Sequence, residues 1–246
     1  MKNYLSFGGG VNSVAMMLLL LDQKQEFEAV FVDHETDWPE TYEYFNMFQG
    51  WLKKNGYKEI IVLSPGNIRK KDNKHFNSLY EYCYFYKMVP SIMYRWCTRV
   101  FKVLPVHRYI KKPCFMLLGI DWGEAKRAKI STTAGVEHRW PLIEAEIDRD
   151  ECKEIIKSHG LPIPMKSGCY ICPYQRVSQW RELRIKHPEL FCKAEKLENA
   201  NKQYRIERGK KPLTLSPSGK SLRVIVDEKQ KMLFKDDEYP PCQCGL

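Results

Sequence analysis

Five of the nine cysteines stand where they could do chemistry. Cys169 and Cys172 form a C-x-x-C between Gly168 and Pro173, a spacing that lets two thiolates reach one metal centre. Cys97 lies well upstream in "RWCTR", and Cys242 and Cys244 close the chain in "CQCGL". Three of these and one from the tail make four thiolates, suited to a [4Fe-4S] cluster, with zinc as the alternative. The other four (Cys83, Cys114, Cys152 and Cys192) are scattered singly and read as core or surface thiols.

A second candidate lies at the N-terminus, where "SFGGGVNS" (6–13) separates an apolar start from a long apolar run. That is the pattern of a strand, a phosphate-sized turn and a helix. Residues without side chains let backbone N–H groups approach an anion, Ser13 adds a hydroxyl, and a helix N-terminus adds partial positive charge. A dinucleotide fingerprint would need a third glycine where Ser13 stands. A Walker loop fails too: "SGKS" (218–221) imitates its end, but Thr214 replaces its first glycine.

The elements that must position these residues are readable from periodicity. Strands are expected at 3–7, 28–33, 59–64 and 114–120, and helices at 12–23, capped by Asn12 or Ser13, and from Pro39 to about Asn55. Further helices are expected around 98–111, 148–160 and 176–208. The βαβαβ rhythm implies an α/β fold, a parallel sheet with helices on both faces. From about Lys166 the character changes, so 1–165 is expected to form the nucleotide-binding α/β domain and 166–246 a small cysteine-tied helical subdomain.

The composition is that of an ordinary soluble globule, 43% hydrophobic and 28% charged. No apolar run is long enough for a membrane span, and the N-terminus lacks signal-peptide features, so no membrane partner and a cytoplasmic location are expected. Nine cysteines in such a chain fit metal or redox chemistry better than a disulfide framework. A net charge of +10 suits an anionic partner, nucleic acid included.

The loop resembles the pyrophosphate-binding loop (PP-loop) of the ATP pyrophosphatase and phosphoadenosine phosphosulfate (PAPS) reductase-like superfamily, typically S-x-S-G-G-K-D-S. Ser6, Gly9, Gly10 and Ser13 match, while Gly8, Val11 and Asn12 replace a serine, a lysine and an aspartate. "FVDHETDWPETYEYF" (31–45), "RWCTRVFKVLPVHRYI" (95–110), "LLGIDWGEAKRA" (117–128) and "WPLIEAEIDRDECKEIIKSHGLP" (140–162) resemble further segments of that family, in the right order. The resemblance implies a five-stranded, Rossmann-like sheet of the adenine nucleotide alpha hydrolase type. It also implies that Ser6, Gly8, Gly9, Gly10, Asn12 and Ser13 hold phosphates. Asp33, counted among the catalytic candidates, and Glu35 would lie near the ribose or a metal, and Arg99, Lys102, Glu124 and Arg127 at the anionic end.

Three functions follow as expectations. The first is ATP-dependent activation, with Mg²⁺, and sulfur transfer to a nucleic-acid or related acceptor, helped by an iron–sulfur centre and a cysteine desulfurase-like sulfur donor. The second is reduction of a sulfonucleotide, PAPS or its non-phosphorylated form, with a thioredoxin-like donor. "CQCGL" is similar to that family's mobile tail at Cys244, Gly245 and Leu246, which makes Cys244 the nucleophile. The third is a metal-stapled module that binds nucleotide or nucleic acid without turnover. Cys242 and Cys244 could divide the ligand and nucleophile roles between them.

Overall fold

The computed structural model describes residues 1–69, 74–165 and 167–228. Strands β1 (Lys2–Ser6) and β2 (Glu28–Val32) flank helix α1 (Val11–Asp22), and α2 (Pro39–Lys54) leads to β3 (Ile61–Leu63). A small hairpin, β4 (Asn67–Arg69) and β5 (Lys74–His75), precedes α3 (Leu79–Phe85). A continuous helical segment then runs from α4 (Trp96–Thr98) through a π turn (Arg99–Val103) into α5 (Leu104–Tyr109). β6 (Cys114–Leu118), a 3₁₀ turn (Trp122–Arg127) and β7 (Val136–Arg139) complete the α/β part, followed by α6 (Pro141–Glu144) and α7 (Arg149–Ser158). The C-terminal part contains α8 (Val177–Lys186), α9 (Pro188–Ile206) and α10 (Leu222–Asp227).

The five-stranded sheet has the order β3-β2-β1-β6-β7, with every pairing parallel. The three inner strands, β1, β2 and β6, are largely buried, which is why they read as continuous apolar runs rather than as alternation. Leu5, Phe7, Ala29, Phe31 and Leu117 face α1, α2 and α7 in one core, while Tyr4, Val30, Val32, Met116 and Leu118 face α5 residues Val106 and, just beyond it, Ile110 in another. The chain leaves β1 toward β2 on one side and returns to β6 on the other, so the strand order reverses at the C-terminal ends of β1 and β6. Open α/β sheets bind ligands at such a switch point.

The local chemistry of the helix ends largely follows from sequence. Pro39 sits in the first turn of α2, and Asp148 and Glu151 form a reciprocal capping box on α7. The start of α1 differs from the expectation. Its cap is Gly10 rather than Asn12 or Ser13, and no side chain accepts a bond there. Both polar residues lie inside the first turn, and Ser13 Oγ donates back to the Gly10 carbonyl at 2.9 Å. The lack of a side-chain cap leaves the helix N-terminus open to a ligand.

A third core joins two stretches that are distant in sequence. Trp38, Phe76, Leu79, Tyr82 and Phe101 pack with Cys169, Tyr170, Ile171, Cys172 and the buried faces of α8, α9 and α10. Glu198 on α9 organises its outer edge: its two carboxylate oxygens accept from the Leu215 and Leu222 N–H groups at 3.0 and 2.9 Å. Asn201 adds bonds to the Lys87 carbonyl and from the Leu213 N–H.

Candidate functional site

The glycine loop occupies the switch point. Gly9 has φ +71°, a conformation that favours glycine, and a Cβ there would press on Thr41 Cγ2 at 3.2 Å. Gly8 is exposed, with open space around it. From the neighbouring strand, Gly119 comes so close that a Cβ would stand 3.1 Å from the Ser13 nitrogen and 3.2 Å from the Asn12 carbonyl carbon. The end of β6 therefore lies directly against the first turn of α1.

Asp121, just past that contact, is the residue that sequence reasoning missed. It is 2% exposed and accepts from Asn12 Nδ2 at 2.8 Å and from the Glu124 N–H at 3.0 Å. Arg149 donates to the other side of the Asn12 amide at 3.3 Å. The two partners fix the amide orientation, with NH₂ toward the carboxylate and oxygen toward the guanidinium. They also account for asparagine at this position, since an aspartate would set two carboxylates face to face.

At the end of β2, Asp33 Oδ1 accepts from the Glu35 N–H at 2.8 Å and from the Tyr42 hydroxyl at 2.9 Å. The turn this closes puts Glu35 at φ +52°, exposed. Burial, with the nearby Asp37 and Asp33 carboxylates, pushes the Tyr42 phenol far up, so it is a donor to Asp33 rather than a base. Glu124 and Arg127 form an ion pair with each other on the 3₁₀ turn. Burial raises the Glu124 carboxyl, with the guanidinium pulling it down.

The cysteines converge on a second place. Cys97, Cys169 and Cys172 line one cavity with His34, Phe101, Lys102 and Tyr174. The turn after β2 runs antiparallel to the cysteine knuckle: Asp37 pairs with Cys169, Trp38 N–H bonds to the Gly168 carbonyl at 3.1 Å, and Tyr170 N–H to the Thr36 carbonyl at 3.0 Å. Ser167, two residues before Cys169, packs where a Gly10 Cβ would fall, with its Oγ 2.9 Å from that position. This short run of backbone sets the thiol cavity beside the glycine loop.

Electrostatics in the cavity favour neutral donors. Burial pushes the Cys169 thiol well up, Asp37 adds to this, and Lys102 pulls the other way. Burial likewise raises Cys97. The Lys102 ammonium loses solvation, but attraction from Asp37 and from the thiolate forms of Cys169, Cys172 and Cys97 outweighs that and raises its pKa. His34 is lowered by burial against the pull of Asp37, so it presents a neutral imidazole.

Of the sequence-predicted residues, Ser6, Gly8, Gly9, Gly10, Asn12 and Ser13 run from the end of β1 through the glycine turn into the first turn of α1, with Asp121 and Arg149 bonded to Asn12. Cys97, Cys169, Cys172 and Lys102 form the neighbouring group. Arg99 is exposed on the π turn. Cys242 and Cys244 lie outside the described residues. Cys83, Cys114 and Cys152 are buried and Cys192 exposed, as expected of scattered thiols. Several basic residues of the C-terminal helices are committed internally: Arg181 to the Val226 carbonyl, Arg184 to Asp227 and Lys186 to Glu182. Among the described residues no helix is long and apolar enough to cross a membrane.

Comparison with known proteins gives three findings. A family model described as the phosphoadenosine phosphosulfate reductase domain matches residues 2–132. The uncharacterized protein MJ0973 of Methanocaldococcus jannaschii is 24% identical over 213 residues, covering 78% of this chain. The match covers 47% of that relative, so the chain spans about half its length. A crystal structure of PAPS reductase from Candida auris, in a phosphate complex, superposes with a TM-score of 0.47 at 14% identity, over 67% of this chain and 75% of that one.

Proposed function

This chain belongs to the phosphoadenosine phosphosulfate reductase domain family, and from that premise we propose that it binds an adenine nucleotide on the 6–13 loop and acts on it beside the thiol cavity. Family membership supports a nucleotide-binding enzyme of the PP-loop type. The observation that carries the finer reading is the antiparallel run between 36–38 and 168–170, which holds Cys169 two residues from the Ser167–Gly10 contact. A phosphate-holding turn and a sulfur-rich cavity so placed suit ATP-dependent activation followed by sulfur transfer to a nucleic-acid or related acceptor. The α–β bond is broken, an acceptor oxygen is adenylylated as pyrophosphate leaves, and a sulfur nucleophile displaces AMP.

In this reading, loop N–H groups and Ser13 hold the phosphates, and Asn12 keeps its place through Asp121 and Arg149. Arg99 and Arg127 lie at the anionic end, with Asp33 and Glu35 toward the ribose. Lys102 offsets charge in the cavity. The residues there fit a thiolate-bound metal centre, because Cys97, Cys169 and Cys172 line the same space with a neutral imidazole. When bound, such a centre would supply sulfur or electrons if an iron–sulfur cluster, or Lewis acidity if zinc. Residues 166–246 are proposed to form a cysteine-tied subdomain, and its described part contributes Cys169, Cys172 and Tyr174 to this cavity.

The second reading is sulfonucleotide reduction with Cys244 as nucleophile, which the family description favours. Anaerobic equilibrium binding of Mg²⁺–ATP, adenylyl sulfate and PAPS, side by side, separates the two. A preference for ATP is the expected result, a preference for either sulfonucleotide makes the second reading correct, and binding of none removes the loop reading altogether. In the same assay Ser13→Ala is expected to bind nucleotide about 3-fold to 10-fold more weakly, the loss of one hydrogen bond. Unchanged affinity would take Ser13 out of the site.

A further inference from the structure

The geometry points to a binding site for a single zinc-class divalent ion, held by His34 Nε2, Asp37 Oδ1 and Cys169 Sγ. This rests on reading the cavity as a metal centre and narrows it, because it names an imidazole and a carboxylate as ligands that no cysteine pattern predicts. The ligand atoms of these three residues all lie within 4.8 Å of one another. Nε2 stands 3.5 Å from Asp37 Oδ1 and 3.6 Å from Cys169 Sγ. A tetrahedral ion with bonds of about 2.0–2.3 Å separates its ligand atoms by about 3.3–3.8 Å. These two separations match two edges of such a tetrahedron, the third pair lies within 4.8 Å, and 3.5 Å is long for a hydrogen bond between nitrogen and oxygen.

Burial and satisfaction point the same way. His34 is fully buried, Asp37 is 5% exposed and Cys169 is 7% exposed. Asp37 Oδ1 is buried without a hydrogen-bond partner, an arrangement that is unfavourable unless something else satisfies it. A cation between the three atoms does so.

The scaffold holds the ligands in place without help from an ion. The backbone bridge fixes Asp37 opposite Cys169, and Thr36 Oγ1 closes the turn by donating to the His34 carbonyl at 2.8 Å. One imidazole, one carboxylate and one thiolate form a borderline donor set, which suits zinc better than the all-oxygen sites of magnesium or calcium. It also departs from the four thiolates typical of a [4Fe-4S] cluster. His34 and Cys169 line one cavity with Cys97, Cys172 and Lys102, so a water, a thiol or a substrate sulfur could complete the coordination from that space.

The test uses the full chain, stripped with a chelator and reloaded anaerobically with Zn²⁺, with Co²⁺ as a spectroscopic substitute, and separately with Fe²⁺ and sulfide. One Zn²⁺ per chain is expected, together with tetrahedral Co²⁺ absorption that includes a sulfur-to-metal band. His34→Ala and Asp37→Asn should each weaken Zn²⁺ binding at least ~10-fold. The combined Cys242→Ser and Cys244→Ser variant should bind Zn²⁺ as the parent does. Should His34→Ala misfold, His34→Cys is the second arm: it is expected to retain Co²⁺ with a stronger sulfur band. The proposal is overturned if no ion binds, if His34→Cys leaves the sulfur band unchanged, or if a four-iron cluster forms and survives the His34 and Asp37 substitutions. Nucleotide binding is measured in parallel, so failure of the ion site and failure of the nucleotide reading remain separate results.

Discussion

Replacing Asp121 with alanine is expected to lower nucleotide affinity at least ~10-fold and to destabilise the fold by about 2–4 kcal/mol, the loss of two hydrogen bonds to a buried charged acceptor. The carboxylate accepts from Asn12 Nδ2 and from the Glu124 N–H, so its removal frees the first turn of α1 and uncaps the 3₁₀ turn together. Equilibrium nucleotide binding and denaturant unfolding measure the two effects on one sample. Asp121→Asn retains an acceptor for the Glu124 N–H and is expected to recover most of the stability. Asn12→Asp provides an independent check. It restores the residue typical of this loop type, yet here it places a carboxylate where Asn12 Nδ2 stands 2.8 Å from Asp121, with Arg149 on its other side to offset part of the repulsion. Like charges at that distance should destabilise the protein and weaken nucleotide binding. If Asn12→Asp bound nucleotide more tightly than the parent, the account of Asp121 as the anchor of the loop would be wrong.

The second large effect is expected from Glu198→Ala. Two backbone N–H groups, those of the fully buried Leu215 and Leu222, would lose their acceptor together. At about 1–3 kcal/mol for each buried donor left unsatisfied, a loss of roughly 3–4 kcal/mol is expected, with α10 released first. Burial raises the Glu198 pKa above its ordinary 4.5, although the two N–H bonds pull it down. The folded state therefore holds the proton more tightly than the unfolded chain. The contribution of this residue is full below pH 4.5 and falls as pH rises through the folded value, so the difference between parent and variant should be larger at pH 4.5 than at pH 7. Urea unfolding at the two pH values reads this directly, and a difference that grows with pH contradicts it.

Much of the α/β part was legible because its signals are local. Apolar runs of strand length, the glycine loop, Pro39 and the Asp148–Glu151 box each act within a few residues. Strand β7, "VEHR", was not legible, because only Val136 is buried and an edge strand carries little apolar pattern. Helices α3 and α10 were missed for a different reason: α3 packs on α9, and the loop that leads into α10 is bonded to α9 through Glu198. The spacing of Cys169 and Cys172 and the motif around Cys97 made these thiols candidates, and the structure sets all three on one cavity.

By itself, the sequence determined the parallel α/β class, the position of the phosphate-sized turn and the candidacy of the thiols, since each depends on residue type and short-range spacing. Only the tertiary structure decided what surrounds them. Asp121 meets Asn12 across 109 positions because β6 returns beside β1, and His34 meets Cys169 across 135 because the turn after β2 pairs with the knuckle. No spacing rule links such residues. Their encounter follows from the order in which strands enter the sheet and from backbone hydrogen bonds that can form only once that order is set.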